Sequence, residues 1–444
     1  MISIFLIFDT SDDRRRLICL AGIAGLLATL YLFCIVKSQV SWQTVCWGVS
    51  FQFASGLVLI RWKWVNQQLV DVYKLCGEFM QYLSFGGDGI FGSLFQPTNP
   101  CDAFNDTLLS YFREIIAFGV LAAFLHHLNI ISTILQAMSF VTRIILDTTS
   151  LELFAAIASS LLGMKESVLL MNQYLDKMTS SELNTLITVG LSSASSQILL
   201  NYTDFGVSSK YAISCSIMSI SGSLVCAKLV YPEITDNDKH IDERYRRYYH
   251  KSKLTQLIPL VECLLQGALS TAKVAIGVLA CLVACISLLS MISGIIEYLG
   301  MLIDFDSWSL QSLFSLVIFP AAFLTGITDP PDVMRLSKIL GANRKFKFSA
   351  SSFIGHQLLC SVHFPQSRIV IHPIGYVDNS DPFPPSAVLP SRSGSLLAAV
   401  VSSLLTASMT GLLIKNPESC PPSPQIYRCL NITTDNHFMG LSNG

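Results

Sequence analysis

The chain has 444 residues, 51% hydrophobic and 13% charged, with a mean hydropathy of +0.53. That is roughly half the charged fraction of an ordinary soluble domain, and more apolar surface than a soluble core of this length requires. A net charge of −1 gives no basis for a nucleic-acid partner, so composition favours one polytopic membrane unit over two or three soluble domains.

The first apolar run, "LICLAGIAGLLATLYLFCIV" at 17–36, is long enough to cross a bilayer core of about 30 Å. Arg14, Arg15 and Arg16 precede it, and no small-residue cleavage site follows, so a retained span is expected rather than a signal peptide. Further spans are expected near 44–60, 114–136, 183–203, 211–231, 267–300 and 395–415.

Two other regions, 151–176 and 308–342, are apolar but interrupted. The first is broken by "GMKE" at 163–166, where Lys165 and Glu166 stand side by side. The second is broken by "TGITDPPDV" at 325–333, where Pro330 and Pro331 rule out a continuous helix. Lipid offers backbone groups no partner, so such breaks must be buried in protein or line a wet cavity. Interrupted segments in two halves of a chain are the usual mark of a transporter's midplane site.

The polar stretch 232–255 reads as a solvated connector, and "DPFPPSAVLP" at 381–390 as irregular backbone. Most of the thirteen cysteines, Cys19, Cys34, Cys215, Cys226, Cys281 and Cys285 among them, lie in apolar runs and behave as small hydrophobes. Cys420 and Cys429 flank a polar tail with the sequon Asn431-Ile432-Thr433, which suits a glycosylated, disulfide-closed external segment. His126 and His127 are adjacent, point about 100° apart on a helix, and suit helix packing better than ion binding. No phosphate loop or nucleophile triad supports an ATP-driven pump or an enzyme.

"GMKESVLLMNQYLDKMTSSELNTLITVG" at 163–190 resembles the hallmark of concentrative nucleoside transporters, a Gly-Gln-Thr-Glu hairpin tip followed by a Met-Thr-x-Ser-Glu-Leu segment. The resemblance continues through "FGVSSKYAISCSIMSISGSLVCAKLVYPE" at 205–233. "WGVSFQFASGLVLIRW" at 47–62, "GGDGIFGSLF" at 86–95, "FPAAFLTGI" at 319–327 and "LPSRSGSLLAAVVSSLLTASMTGLL" at 389–413 are similar to other family segments.

The resemblance implies an all-α polytopic membrane protein with about eight transmembrane helices plus two re-entrant helical hairpins, arranged as scaffold and transport domains in a homotrimer. Residues 1–150 would hold the N-terminal scaffold spans and an interfacial helix, and 151–415 the transport region. Residues 416–444 would form a polar, external tail. The implied activity is sodium-coupled nucleoside uptake across the plasma membrane. Substrate contacts would fall on Met164, Lys165, Glu166 and Ile198, and the co-transported sodium on Ser159, Leu162, Ser193 and Ala194.

The residues depart from the family at several of these places. Met164 stands where the family has glutamine, Lys165 where it has threonine, and Phe348 where a second-hairpin glutamate would grip ribose. Each polar group of a buried solute left unpaired costs roughly 1–3 kcal/mol. The expected function therefore has two alternatives: a non-transporting or regulatory relative, or a carrier whose solute or coupling ion has changed, with Lys165 as a built-in cation.

Overall fold

A computed structural model describes residues 17–91, 103–145, 148–175, 178–204, 208–232, 260–303 and 385–413, with the isolated positions 316, 319, 320 and 323. The second hairpin region with its Pro330-Pro331 break, Phe348 and the tail bearing Cys420, Cys429 and Asn431 lie outside the described residues. Within the described residues every regular element is a helix.

Helix α1 (Leu17–Leu32) and α2 (Trp42–Arg61) match the first two expected spans. Ser41 caps α2 by accepting from the Thr44 amide, which satisfies one of the orphan donors of its first turn. Helix α3 (Lys63–Phe91) buries Asn66, Val70, Tyr73, Gly77 and Met80, a stripe at three- and four-residue spacing that leaves its other faces outside. Asn66 Nδ2 fixes its start, donating to the Leu59 carbonyl (3.0 Å) and to Ser214 Oγ (2.9 Å).

The run expected at 114–136 is not one span. Helix α4 (Ala103–His127) ends and α5 (Ile130–Ile145) begins at an angle of 74°. Asn129 makes the corner with φ 57°, a left-handed conformation that asparagine tolerates because its short side chain can bond locally. The first hairpin consists of α6 (Ser150–Leu161) and α7 (Met164–Met171). The run expected at 183–203 is likewise divided, into α8 (Ser180–Ser192) and α9 (Ser196–Asp204). The intervening Ser193-Ala194-Ser195 is serine-rich, and serine competes for backbone bonds and favours helix ends.

Helix α10 (Ser209–Val230) is the most deeply enclosed span. Helix α11 (Leu260–Leu302) runs for 43 residues, about 65 Å and roughly twice a bilayer's hydrocarbon thickness. Helix α12 (Pro385–Leu413) begins earlier than expected. Part of the "DPFPPSAVLP" stretch is helical, since Pro385 sits at the first helical position, where its missing N–H would have no partner anyway.

The α1, α2, α10 and α12 side chains share one core built on Leu26, Phe53, Met218, Val225, Leu405 and Met409. A second core joins α3, α4, α5 and the hairpin through Met80, Phe118, Leu135, Phe154, Ala155 and Met171. Helix α11 packs chiefly on α4, leaving Leu265, Leu269, Ile276, Met291 and Tyr298 exposed on its outer side. That α4–α11 contact depends on small residues, because a Cβ at Gly119 would collide with the Thr271 side chain. Gly119→Leu is therefore expected to cost about 1–3 kcal/mol through overpacking, read as a lowered thermal midpoint of the detergent-solubilised protein.

By length and apolarity, four helical segments among the described residues can cross a membrane, and a fifth if the bent α4–α5 pair is one span. One of the four, Ser180–Leu200, runs through the α8–α9 break. The apolar segments Ile18–Leu32, Ser287–Leu302 and Gly394–Thr410 are shorter. The protein is thus an all-α, multi-pass membrane protein carrying a broken helical finger.

Candidate functional site: a hairpin tip meeting a helix break

Helix α6 starts with a reciprocal cap. Thr149 Oγ1 accepts from the Glu152 amide (3.4 Å), and Glu152 Oε2 accepts from the Thr149 amide (3.1 Å). Burial of Leu151, Phe154, Ala155 and Ala158 then holds the helix in the second core. It stops at Gly163, whose φ of 126° and ψ of 169° are open to glycine and almost no other residue.

The Leu162 and Gly163 amides both donate to the Ala158 carbonyl, at 2.8 and 3.3 Å, which closes α6. The Ser167 amide donates to the Gly163 carbonyl (3.0 Å), which starts α7. Ser167 Oγ donates across the finger to the Ala155 carbonyl (3.1 Å) and stitches its two limbs together. The Lys165-Glu166 pair therefore sits at the tip of a reversing helical finger.

Two further groups converge there. Lys165 Nζ lies 3.5 Å from Glu166 Oε1 and 2.6 Å from Glu114 Oε2 of α4. Gln197 of α9 donates through Nε2 to Glu114 Oε1 (2.9 Å). Glu166 is 1% exposed, and its Oε2 is buried with no hydrogen-bond partner among the described residues. A buried acceptor without a donor costs about 1–3 kcal/mol, more when charged, so this oxygen is prepared for a donor or a cation.

The finger meets the α8–α9 break. A Cβ at Gly163 would lie 2.6 Å from Glu166 Oε2 and 3.1 Å from Ser195 Cβ, so tip and break are in contact. Within the break, the Ala194 carbonyl accepts from Ser216 Oγ (3.3 Å). Ser216 Oγ is 3.0 Å from Ser160 Oγ, which in turn is 2.8 Å from the Tyr73 hydroxyl. This buried hydroxyl chain ties α3, the finger and the break to α10. Ser193 Oγ makes a long bond to the Gly190 carbonyl (3.5 Å), and Ser159 Oγ is fully buried with no hydrogen-bond partner among the described residues.

Two helix C-termini, of α6 and α8, thus face two N-termini, of α7 and α9. C-terminal carbonyls and their partial negative charge favour a small cation; N-terminal amides and the acceptor-rich tip suit a neutral solute rich in hydrogen-bonding groups.

Comparison with known proteins agrees with this architecture. Residues 21–94 match the family model described as "Na+ dependent nucleoside transporter N-terminus", and residues 211–363 match the one described as its C-terminus. The chain belongs to the sodium-dependent nucleoside transporter family. It is 27% identical over 369 residues to sodium/nucleoside cotransporter 2 of Rattus norvegicus, covering 80% of this chain and 51% of that protein. It is 26% identical over 363 residues to sodium/nucleoside cotransporter 1 of Homo sapiens, covering 80% of this chain and 52% of that protein. The chain thus spans about half the length of these curated relatives.

Its fold matches a doubly substituted CNTnw in an outward-facing state, with a TM-score of 0.70 at 23% identity over 89% of this chain and 99% of that one. CNTnw in an inward-facing substrate-bound state matches with a TM-score of 0.61 at 23% identity over 89% of this chain and 97% of that one.

Within this family's frame, the structure places Lys165 and Glu166 together at the tip, with Ile198 on the adjoining α9 and 39% exposed. Met164 is directed elsewhere: it packs with Ile187, Leu191 and Ala399, and its side chain fills the space beside Gly190. Ser159 and Leu162 lie at the end of α6, and Ser193 and Ala194 at the break. Sequence reasoning missed Glu114 and Gln197. Glu114 follows Arg113 at the start of an apolar run, 51 residues from Lys165, and adjacent charges at a span's edge ordinarily mark the interface. Gln197 was hidden because its segment had been read as an uninterrupted span. The "SSASSQ" cluster at 192–197 was the available signal for the break. His126 packs as expected, its ring 5.8 Å from that of Tyr174.

Proposed function

We propose that this chain is a multi-pass symporter of the plasma membrane that couples nucleoside uptake to sodium entry by alternating access, working as a homotrimer. The finger and α8–α9 would belong to a transport domain spanning 151–415, moving against scaffold spans within 1–150. One observation carries the reading: a buried glutamate oxygen without a hydrogen-bond donor among the described residues, held at the tip of a broken helical finger against a second helix break.

In this reading Glu166 accepts a hydrogen bond from the nucleobase, Lys165 donates, and Ile198 supplies apolar wall, while Met164 backs the tip from the core. Sodium, carried as a co-substrate, is held by the Leu162 and Ala194 carbonyls with the Ser159 and Ser193 hydroxyls. Neither carbonyl depends on side-chain identity. The exposed apolar side of α11 supports contact with lipid or with further copies of the chain.

Radiolabelled uridine and adenosine entry into vesicles, with and without a sodium gradient, tests the proposal. Uptake is expected to require the gradient. Glu166→Gln should lower it about ten- to a hundredfold, because a hydrogen bond to a charged group is worth about 1.5–3 kcal/mol. Unchanged uptake in that variant would remove Glu166 from the solute's path.

A second reading follows from the Lys165 ammonium being 3.5 Å from the Glu166 carboxylate: a tethered cation does part of the ion's work. It requires sodium-independent uptake that becomes sodium-dependent in Lys165→Thr. Surface-expressed protein with no uptake under any gradient would identify a non-transporting, regulatory member.

A further inference from the structure

The α4 helix meets the finger across an apolar interface, Phe118 and Ala122 against Phe154, Ala155, Leu170 and Met171. Such contact is non-directional and permits sliding at little cost, so it cannot by itself fix where the tip stops along α4. Polar contacts can. Glu114, 4% exposed on α4, receives Lys165 Nζ on Oε2 (2.6 Å) and Gln197 Nε2 on Oε1 (2.9 Å), so one carboxylate grips both the finger and the helix beyond the break.

A second directional contact lies further along α4, between His126 Nε2 and the Leu170 carbonyl (2.9 Å). A carbonyl only accepts, so His126 donates. Short bonds between charged groups are strong and geometrically exacting, and in this buried setting they are poorly screened.

We propose that Glu114, Lys165 and Gln197 form a latch that sets the register of the hairpin tip against α4 in the solute-free protein. The latch must open before the finger can move along α4. This rests on the alternating-access reading above, but its geometry does not involve a nucleoside. Lys165 is shared between Glu114 and Glu166, so a solute that takes a hydrogen bond from Lys165 at the tip competes with Glu114 for the ammonium. The site and the register are thereby linked through one side chain.

Hydrogen–deuterium exchange of the full chain in lipid nanodiscs, without solute, tests the latch. Peptides covering 159–170 and 192–200 are expected to exchange at least tenfold faster in Lys165→Met and in Glu114→Gln, while peptides of α10 are unchanged. Reversing the charges together, Glu114→Lys with Lys165→Glu, should restore most of the protection lost in either single variant. If a charge variant fails to fold, Gln197→Ala removes one bond to Glu114 and should still accelerate both segments severalfold. Unchanged exchange in the folded single variants, or a double variant no better protected than the singles, overturns the latch. Absence of nucleoside uptake alongside the expected exchange pattern would instead defeat the substrate reading and leave the latch standing.

Discussion

Gly163→Ala is expected to abolish transport and lower the thermal midpoint by several degrees, although it adds a single methyl group. Two independent penalties meet at this position. The backbone sits at φ 126° and ψ 169°, where an L-residue with a Cβ is strained by roughly 1–3 kcal/mol. The added Cβ would also lie 2.6 Å from Glu166 Oε2 and 3.1 Å from Ser195 Cβ. Relief by rotating φ would undo the pair of amides converging on the Ala158 carbonyl and turn α7 away from α6. Relief by moving Glu166 would displace the carboxylate that the solute needs.

Both routes damage the site, so uptake should fall by more than a hundredfold even where the protein still reaches the membrane. Gly25→Ala supplies the control. Gly25 lies in α1 with open space where its Cβ would go, and a glycine-to-alanine change inside a helix is favourable by up to about 1 kcal/mol. Equal midpoints and equal uptake for the two variants would refute the finger geometry.

The finger was readable in the sequence because its signals are local. A glycine followed by two adjacent charges cannot continue a lipid-facing helix, and the chain itself places the break at 163–166. Capping residues worked the same way: Thr149 with Glu152, and Thr179 with Glu182, lie three residues apart and start α6 and α8. The second break was less legible, since Ser193, Ala194 and Ser195 are small, uncharged and tolerated within a span; only packing against Ser216 and the hairpin tip favours opening the helix there. The corner at Asn129 was obscured similarly, by apolar residues on both sides that keep hydropathy high through the turn. Glu114 could not be connected to Lys165 by any periodicity, because the contact joins elements fixed relative to each other only by the folded core.

Lys228→Met is expected to be the most destabilising single change at the base of the finger, about 3–5 kcal/mol, and largely rescuable. Lys228 Nζ of α10 lies 2.7 Å from Glu152 Oε1, with the two side chains 10% and 0% exposed. The same Glu152 oxygen accepts from Thr185 Oγ1 of α8 (2.9 Å), while its other oxygen caps α6. Removing the ammonium leaves a carboxylate inside protein without its counter-charge, and that uncompensated charge, rather than the lost attraction, dominates the cost.

The paired variant Lys228→Met with Glu152→Gln removes both charges yet keeps an oxygen for the Thr149 amide, while its Nε2 can donate to the Thr185 hydroxyl, which still has the Ser181 carbonyl to donate to. It should recover more than half of the lost stability, giving a coupling well above 1 kcal/mol in a double-mutant cycle read from thermal or denaturant midpoints. Additive losses would mean that the two residues act separately. Transport should track stability in this pair, because the base cluster fastens α6, α8 and α10 together at residues 152, 185 and 228, whereas the tip's charges meet α4 at Glu114. The two ion pairs are thus placed differently: one joins the finger to the helices beside it, and the other joins it to α4, the helix that the proposed latch would have to release.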